Sequence, residues 1–188
     1  MGDLRPVHPV RLFIGFLAAE EEWLDVAVET CAQEFGPLEK RSPVMPFEYT
    51  DYYADEMGQT LHRQFAVFRP LVEPDCLPET KLKTNGLEKE LATRISRAPS
   101  RPVNIDPGYF SASGLFLATT KNFTHRIYLA QGIYGEVTLQ YVEGTFRPFE
   151  WTYPDYRAAG TIKFFNDARA RYIQQLKRQG SLQAEMRP

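Results

Sequence analysis

Cysteine, histidine and long apolar runs are scarce in this chain of 188 residues, and each shortage argues against a class of protein. Cys31 and Cys76 form no Cys-x-x-Cys pair, which argues against a zinc knuckle and favours reduced thiols in a cytoplasmic protein. The three histidines have no HxxxH spacing, so a histidine-dominated metal site is not expected. No apolar run approaches about 18 residues, so we expect no membrane span, and the N-terminus lacks the layout of a signal peptide.

Motifs that hold phosphates or cofactors are absent as well. No glycine precedes a lysine, so there is no Walker loop to cradle phosphates, and GxGxxG, GxSxG and HExxH do not occur. The sequence therefore has no motif for nicotinamide, flavin or haem, while a divalent metal stays an open alternative. The net charge of −2 argues against a general polyanion binder, although the surplus of basic residues lies after residue 60.

The residues that are present alternate between strand and helix patterns, as is typical of a globular α+β protein. Strand patterns cover 10–18, 61–72, 103–110, 125–130, 133–142 and 145–151, with a proline-broken edge strand at 38–49. Helical patterns cover 20–36, 77–96 and 161–180, with a short buried helix at 111–121 and a loop or short helix at 50–59. We predict one α+β domain over residues 1–180 and a frayed tail at 181–188. Its sheet is expected to be largely antiparallel and packed by helices, with a ferredoxin-like N-terminal half as one arrangement.

Turns are predicted where glycine or proline interrupts these patterns. Pro107 and Gly108 fit the second and third positions of a type II turn, which would end the strand at 103–110. Glycine also predicts turns at 131–132 and 143–144, so the three strands around them form a meander.

The first of these hairpins determines which side chains share a face. A three-residue loop at 131–133 pairs Tyr128 with Glu136. The same register pairs Arg126 with Thr138 and separates polar from apolar residues best. Strand alternation then places on one face Arg126, Tyr128, Tyr134, Glu136, Thr138 and Gln140. This polar face is either the wet side of an antiparallel sheet or a site. Finding Arg126 and Glu136 on the buried face, or Asp106 far from both, would argue against a site.

Polar residues close to the hairpin favour a site. Asn104, Asp106 and Tyr109 lie at the predicted strand end, where ligands often bind, and Lys121 and His125 precede the hairpin. These groups can supply both acid–base chemistry and an anion clamp. We expect the clamp to consist of Lys121, Arg126 and His125. The catalytic candidates are Asp106, His125 and Glu136, and the two carboxylates are also candidate metal ligands.

Each of these candidates also has a purely structural interpretation. Asp106 before Pro-Gly is typical of a turn, His125 at a strand start is often only a hydrogen bonder, and Lys121 after a helix fits the helix dipole. Lys81 and Lys83 are typical of a solvated helix face, although they could add to an anion site.

Two aromatic stretches are equally ambiguous. The stretch 151–157 either leads into the last helix by packing and capping, or its aromatic rings stack on a base or sugar. Its ligand-binding candidates are Tyr153, Asp155 and Tyr156. The stretch 47–53 and the residues after it provide two further metal candidates, Asp51 and Glu56.

Four stretches together resemble a bacterial family of uncharacterised proteins, domain of unknown function 4416. They are PFEYTDYYADEMG, KTNGLE, VNIDPGYFSASGLFLATTKNFTHRIYLAQGIYGEVTL and WTYPDYR, and the resemblance covers roughly residues 8–178. The family pattern includes Asp51, Tyr52, Tyr53, Glu56, Thr84, Asn85, Glu88, Asn104, Asp106, Pro107, Gly108, Tyr109, Lys121, His125, Arg126, Tyr128, Tyr134, Glu136, Thr138, Trp151, Tyr153, Pro154, Asp155 and Tyr156. The resemblance implies no established activity, and the absent phosphate loop gives no support to the GTP-binding label that some members carry. Members usually have a bulkier helix with a lysine at SASGLF, so that lysine's role does not transfer.

Three functions follow as expectations. The leading one is binding of a phosphate- or carboxylate-bearing small molecule such as a nucleotide, with the question of catalysis left open. The second is a nucleic-acid-binding module, in which tyrosines stack on bases and basic segments hold phosphates. The third is a partner-binding or structural protein, which predicts a large exposed apolar patch and no polar pocket. The oligomeric state does not follow from the sequence.

Overall fold

A computed structural model describes residues 7–50, 53–95 and 99–180. The predicted tail at 181–188 and the metal candidate Asp51 lie outside the described residues. No helix within the described ranges is long and apolar enough to cross a membrane.

The described residues form nine strands and five α-helices, together with a 3-10 turn at Pro74–Cys76. The strands are β1 Val10–Ala18, β2 Leu38–Arg41, β3 Met45–Phe47, β4 Leu61–Val72, β5 Val103–Phe110, β6 Gly114–Thr119, β7 Ile127–Ala130, β8 Ile133–Val142 and β9 Thr145–Pro148. The helices are α1 Glu21–Phe35, α2 Ala54–Met57, α3 Leu77–Arg94, α4 Pro154–Arg157 and α5 Ala159–Arg178. The strands predicted at 10–18 and 61–72 are confirmed with the same bounds.

All nine strands join one antiparallel sheet, which confirms the α+β class. Its order is β2-β4-β1-β5-β6-β8-β7, with β3 paired to β4 and β9 paired to β8. In the first half the succession is β1-α1-β2-β3-α2-β4-α3-β5, and β1 and β4 occupy the centre. Apart from the short inserted elements β3 and α2, this is the ferredoxin-like arrangement. The second half of the chain extends the sheet beyond β5.

Helices cover both faces of the sheet, so the central strand β1 is buried throughout. On one face Leu12, Ile14 and Phe16 belong to a core cluster with residues of α1 and α3. On the other face Phe13 belongs to a cluster with residues of α5, among them Phe165. A strand buried on both faces needs a continuous apolar run, which is what residues 10–18 provide.

The prediction of a short buried helix at 111–121 is wrong, because this stretch contains strand β6. Ser111 Oγ accepts hydrogen bonds from the N–H groups of Ser113 and Gly114, both at 3.2 Å, and so turns the chain back toward β5. Leu115 and Leu117 then join the cluster under α5. A short apolar run has no decisive periodicity, so pairing with β5 and β8 determined its conformation.

The predicted turn at Pro107 and Gly108 is also wrong, since β5 continues through both residues. Pro107 pairs with Ile14 of β1. Gly108 is required for a close approach, because a Cβ atom there would lie 2.3 Å from the carbonyl oxygen of Phe116. The glycine therefore lets β6 come close to β5 and does not provide a turn.

The hairpin register differs from the predicted one because the loop between β7 and β8 has two residues. Gln131 and Gly132 have φ values of 53° and 78°, which suits a two-residue hairpin turn. Tyr128 therefore pairs with Tyr134, and Ile127 with Gly135. The expected register, Tyr128 with Glu136 and Arg126 with Thr138, does not form.

Accessibility along the hairpin differs from the expectation at several positions. Glu136 is only 3% exposed, and Thr138 is buried. The apolar Ile127 is 67% exposed, and Val137 is also exposed. The expectation of an accessible polar face is therefore wrong for Glu136 and Arg126, whose side chains are 1% and 9% exposed. The carboxylate of Glu136 instead contacts Arg126 and His125.

Candidate functional site

The sheet opens between β5 and β6. These strands pair only through Gly108, Tyr109 and Phe110 of β5. The first half of β5 therefore has β1 on one side and no described strand on the other. Pro107, at the point where the strands separate, has no N–H with which to continue the ladder. The result is a fork in the sheet with β5 and β6 as its two arms.

Helix α3 supplies the hydrogen bonds that a neighbouring strand would have made. The carboxylate of Glu88 accepts a hydrogen bond from the N–H of Ile105 at 2.7 Å. The ammonium of Lys81 donates to the carbonyl of Ile105 at 3.0 Å. Burial raises the pKa of Glu88, while Lys81 and Arg101 act in the opposite direction. Side chains thus satisfy the strand edge that the fork leaves open.

A cavity of about 500 Å³ occupies the fork. Its walls come from β3 and the segment after it, β4, α3, β5, β6, β8 and α4. The charged residues that line it are Arg63, Lys81, Arg101, Lys121, Glu56, Asp106, Glu136 and Asp155. The aromatic ones are Phe47, Tyr49, Tyr53, Tyr153 and Tyr156. A cavity of this size and mixed lining is typical of a small-molecule site.

Asp106 lies at the centre of a chain of polar contacts on the β5 wall. Lys81 Nζ lies 3.2 Å from its Oδ1, and the amide of Asn104 donates to its Oδ2. The oxygen of the same amide accepts a hydrogen bond from Arg101. Burial alone would raise the pKa of Asp106, but Lys81 and Arg63 outweigh it and lower that pKa below its usual value. Asp106 is therefore an ionised carboxylate at neutral pH.

Glu136 organises the opposite wall. Its Oε2 accepts a hydrogen bond from Arg126 Nε at 2.8 Å and lies 3.2 Å from His125 Nε2. Arg126 also donates to the hydroxyl of Tyr153 at 2.7 Å and to the carbonyl of Lys121 at 3.0 Å. Arg126 thus links the loop before β7 to Glu136 and Tyr153 of the cavity wall, while it does not itself line the cavity. A role for it as a direct anion clamp is not what this geometry favours.

Arg63 forms a buried ion pair beneath the cavity. Its Nη2 lies 2.7 Å from Oδ2 of Asp155. The guanidinium also faces the rings of Phe47 and Tyr156, with its carbon 5.3 and 5.9 Å from the two centroids. Burial lowers the pKa of Arg63, but Asp155 outweighs this, so the pKa lies above its usual value. Gly15 leaves room for the group, because a Cβ atom there would lie 3.0 Å from Arg63 Nη1.

The structure brings most of the predicted site residues together. The predicted residues that line the cavity are Asn104, Asp106, Lys121, Glu136, Tyr153, Asp155, Tyr156 and Glu56. Those that contact Glu136 are His125, Arg126 and Thr138.

Five predicted ligand-binding residues do not line this cavity: Arg126 and Thr138, which contact Glu136, and three that do not contact it, Tyr109, Tyr128 and Tyr134. Tyr128 and Tyr134 form a ring pair near the end of the hairpin. Tyr109 packs against Phe116 and a small apolar cluster.

Two arginines of the site, Arg63 and Arg101, are not predicted by the sequence patterns. A charged residue within the apolar strand pattern at 61–72 was a signal for Arg63, because burying a guanidinium requires a partner. Arg101 lies in a stretch with the composition of a linker, which offers no such signal. Lys81, interpreted mainly as part of a solvated helix face, is buried at the fork.

Within the described ranges, no group of three or more histidine, cysteine, aspartate or glutamate side chains is placed to hold a metal ion. The candidates Glu56, Asp106 and Glu136 line one cavity without forming such a group.

The family model described as Domain of unknown function (DUF4416) matches residues 8–172. No curated protein matched, and no solved structure matched.

Proposed function

This chain belongs to the family described as domain of unknown function 4416, and we propose that its fork cavity binds a phosphate- or carboxylate-bearing small molecule. The observation that supports the proposal most directly is that four cationic side chains converge on one cavity. Arg63, Lys81, Arg101 and Lys121 come from separate parts of the chain, and all four line one cavity.

The accessible cations are the ones suited to contact an anion. Arg101 is 29% exposed in its side chain and Lys121 is exposed, whereas Arg63 and Lys81 are nearly covered. A guanidinium can donate two parallel hydrogen bonds to a carboxylate or phosphate. Arg63 and Lys81 act on the cavity mainly through their charge, which is poorly screened where water is excluded.

The size of the cavity favours a small ligand over a polymer. Pockets for small molecules occupy roughly 300–1,000 Å³, and this cavity of about 500 Å³ lies within that range. Nucleic-acid recognition usually needs an extended basic surface, whereas this chain has a net charge of −2. The alternative of a partner-binding protein without a polar pocket agrees less well with the cavity in the described residues. If the bound molecule also reacts, Asp106 and Glu136 are the carboxylates available for acid–base chemistry.

A thermal-shift screen tests the proposal. It would include nucleotides, phosphorylated metabolites, carboxylates, divalent metals and short RNAs, each at two salt concentrations. A ligand present at 100 times its Kd adds about 2.7 kcal/mol, which raises the Tm of a chain of this size by roughly 5–10 °C. RNA binding would instead weaken steeply with salt.

Two variants test whether a ligand that raises the Tm binds in the fork cavity. Arg101→Met is expected to abolish the rise in Tm, because the accessible guanidinium is lost. Lys83→Met, in helix α3 but outside the cavity lining, is expected to retain it. The proposal is wrong if no anion shifts the Tm of the wild type, or if both variants respond as the wild type does.

A further inference from the structure

The charges that line the fork cavity are balanced. Four cations face four carboxylates, which are Arg63, Lys81, Arg101 and Lys121 against Glu56, Asp106, Glu136 and Asp155. Several of these charges are already paired, as Arg63 is with Asp155 at 2.7 Å and Lys81 with Asp106 at 3.2 Å. A cavity that selected a simple anion would be expected to have a surplus of cations. The balance indicates that the ligand itself carries both signs of charge.

Accessibility narrows the contact points inside the cavity to Lys121, Asp106 and Arg101, of which Lys121 is exposed. Lys81, Arg63, Glu136 and Asp155 are each less than one tenth exposed, so they are committed to their protein partners. Asp106 and Arg101 are each 29% exposed. Glu56 is 55% exposed and lies 3.4 Å from Arg101 Nη1.

Asp106 and Arg101 are held side by side. The side chain of Asn104 donates to Asp106 through its nitrogen and accepts from Arg101 through its oxygen. Lys81 fixes the other carboxylate oxygen of Asp106, and Glu88 fixes Arg101 at 3.0 Å. A carboxylate has about four acceptor positions, and these two contacts leave room at Asp106 for a further donor.

Given the proposed function, on which this step rests, we infer that the ligand is zwitterionic, with an anionic group contacting Arg101 and a nearby amine contacting Asp106. An anion without an amine would bring its charge close to an ionised carboxylate and be repelled. Asp106 stays ionised at neutral pH because Lys81 and Arg63 lower its pKa. The amine converts that repulsion into a charge-assisted hydrogen bond.

Three pairs of molecules that differ only by an amine or a hydroxyl test the inference by isothermal titration calorimetry. The pairs are 2-aminoethyl phosphate and 2-hydroxyethyl phosphate, pyridoxamine 5′-phosphate and pyridoxine 5′-phosphate, and phenylalanine and phenyllactate. In at least one pair the amine should bind the wild type about tenfold or more tightly than its hydroxyl analogue, as expected for a hydrogen bond to a charged group.

Substitution of Asp106 gives effects of opposite sign for the two members of a pair. Asp106→Asn should weaken the amine, which loses its countercharge, and should tighten the hydroxyl analogue, which loses a repulsion. Asp106→Glu should retain the preference for the amine. Asp75→Asn, at an exposed position outside the cavity lining, is the matched control and should change neither affinity. The comparison within the wild type remains decisive even if Asp106→Asn fails to fold.

The results separate the two proposals. Equal affinities within every pair that binds, or equal tightening of both members by Asp106→Asn, would overturn the zwitterion and leave anion binding intact. The zwitterion is also overturned if no paired molecule binds while a simple anion from the thermal screen does. Absence of binding in both experiments would overturn both proposals.

Discussion

Glu88 of α3 accepts a hydrogen bond from the main-chain N–H of Ile105 at 2.7 Å, in place of the strand that would otherwise have accepted it. Its other oxygen accepts from Arg101 at 3.0 Å. One side chain therefore supports both the open edge of β5 and the most accessible guanidinium of the cavity.

Glu88→Ala is expected to reduce the free energy of unfolding by about 1–3 kcal/mol, because it leaves a buried N–H without its acceptor. Chemical denaturation with urea measures this. Glu90→Ala on the same helix is the control, since Glu90 is exposed and forms a surface ion pair with Arg94 at 3.4 Å. Its effect should stay within about 0.5 kcal/mol. Similar losses in the two variants would show that the Ile105 contact is unimportant.

The same residue predicts a pH dependence. Burial raises the pKa of Glu88 above its ordinary value of 4.5, so the native state binds the proton more tightly than the unfolded state. Stability from this group is therefore fully present below pH 4.5 and declines as pH rises through the native pKa. The free energy of unfolding of the wild type minus that of Glu88→Gln should be larger at about pH 4 than at about pH 7. Urea denaturation at both pH values measures the difference. A constant difference would contradict the raised pKa.

Two glycines should respond to alanine with opposite signs. Gly108→Ala places a Cβ atom 2.3 Å from the Phe116 carbonyl and 2.6 Å from the ring of Phe13, so β5 and β6 must separate. We expect a loss of about 3 kcal/mol or more. Gly86→Ala, within α3 and with no atom within 4 Å of the added group, should gain about 0.5–1 kcal/mol. Thermal denaturation of both variants provides the comparison, and a tolerated Gly108→Ala would refute the close approach.

The buried pair behind the cavity should be far more sensitive than an exposed one. Glu136→Ala leaves Arg126 without its carboxylate, and we expect a loss of about 3 kcal/mol. Glu143 forms an exposed pair with Arg147 at 2.6 Å, so Glu143→Ala should cost less than about 0.5 kcal/mol. The double variant with Arg126→Met should be less destabilised than the sum of the single variants. Strict additivity would mean that the two residues are not coupled.

The two thiols should differ in reactivity. Cys31 is fully buried, and burial raises its pKa to about 12, so the reactive thiolate is scarce and shielded. Cys76 is only partly buried. Ellman's reagent at about pH 8 should label at most one thiol per native chain and both after unfolding. Cys76→Ser should show no labelling in the native state, and rapid labelling of that variant would contradict the burial of Cys31.

Local patterns predicted the first part of the fold well. Residues 10–18 form one apolar run, which predicts a buried strand, and the central strand β1 has the same bounds. In α1, Leu24, Val28 and Cys31 recur at helical spacing and are buried against the sheet. Both signals are long enough to be decisive without knowledge of their neighbours.

Long-range pairing explains what the sequence did not predict. The run at Gly114–Thr119 is short enough to suit either a helix or a strand, and β5 and β8 determined its conformation. Pro107 and Gly108 have the composition of a turn, yet one marks the fork and the other allows close strand contact.

The candidate site was predicted in part for a related reason. Asp106 and Glu136 were found because carboxylates near other polar residues stand out in the sequence. Arg63 and Arg101 are distant from both carboxylates in the sequence and line the same cavity only in the folded sheet. No local spacing in the sequence indicates that these four side chains lie close together.

The narrow connection between β5 and β6 has a mechanical consequence. Among the described residues, three strand pairs, from Gly108 with Leu117 to Phe110 with Leu115, join the ferredoxin-like half of the sheet to the rest. A rotation about this short seam would widen or narrow the fork, and with it the cavity. Residues of helix α5 share one core cluster with Phe65 of the first half and Leu139 of the second, so the helix connects the two halves across this seam. Packing of α5 against both halves would therefore limit any change in the width of the fork.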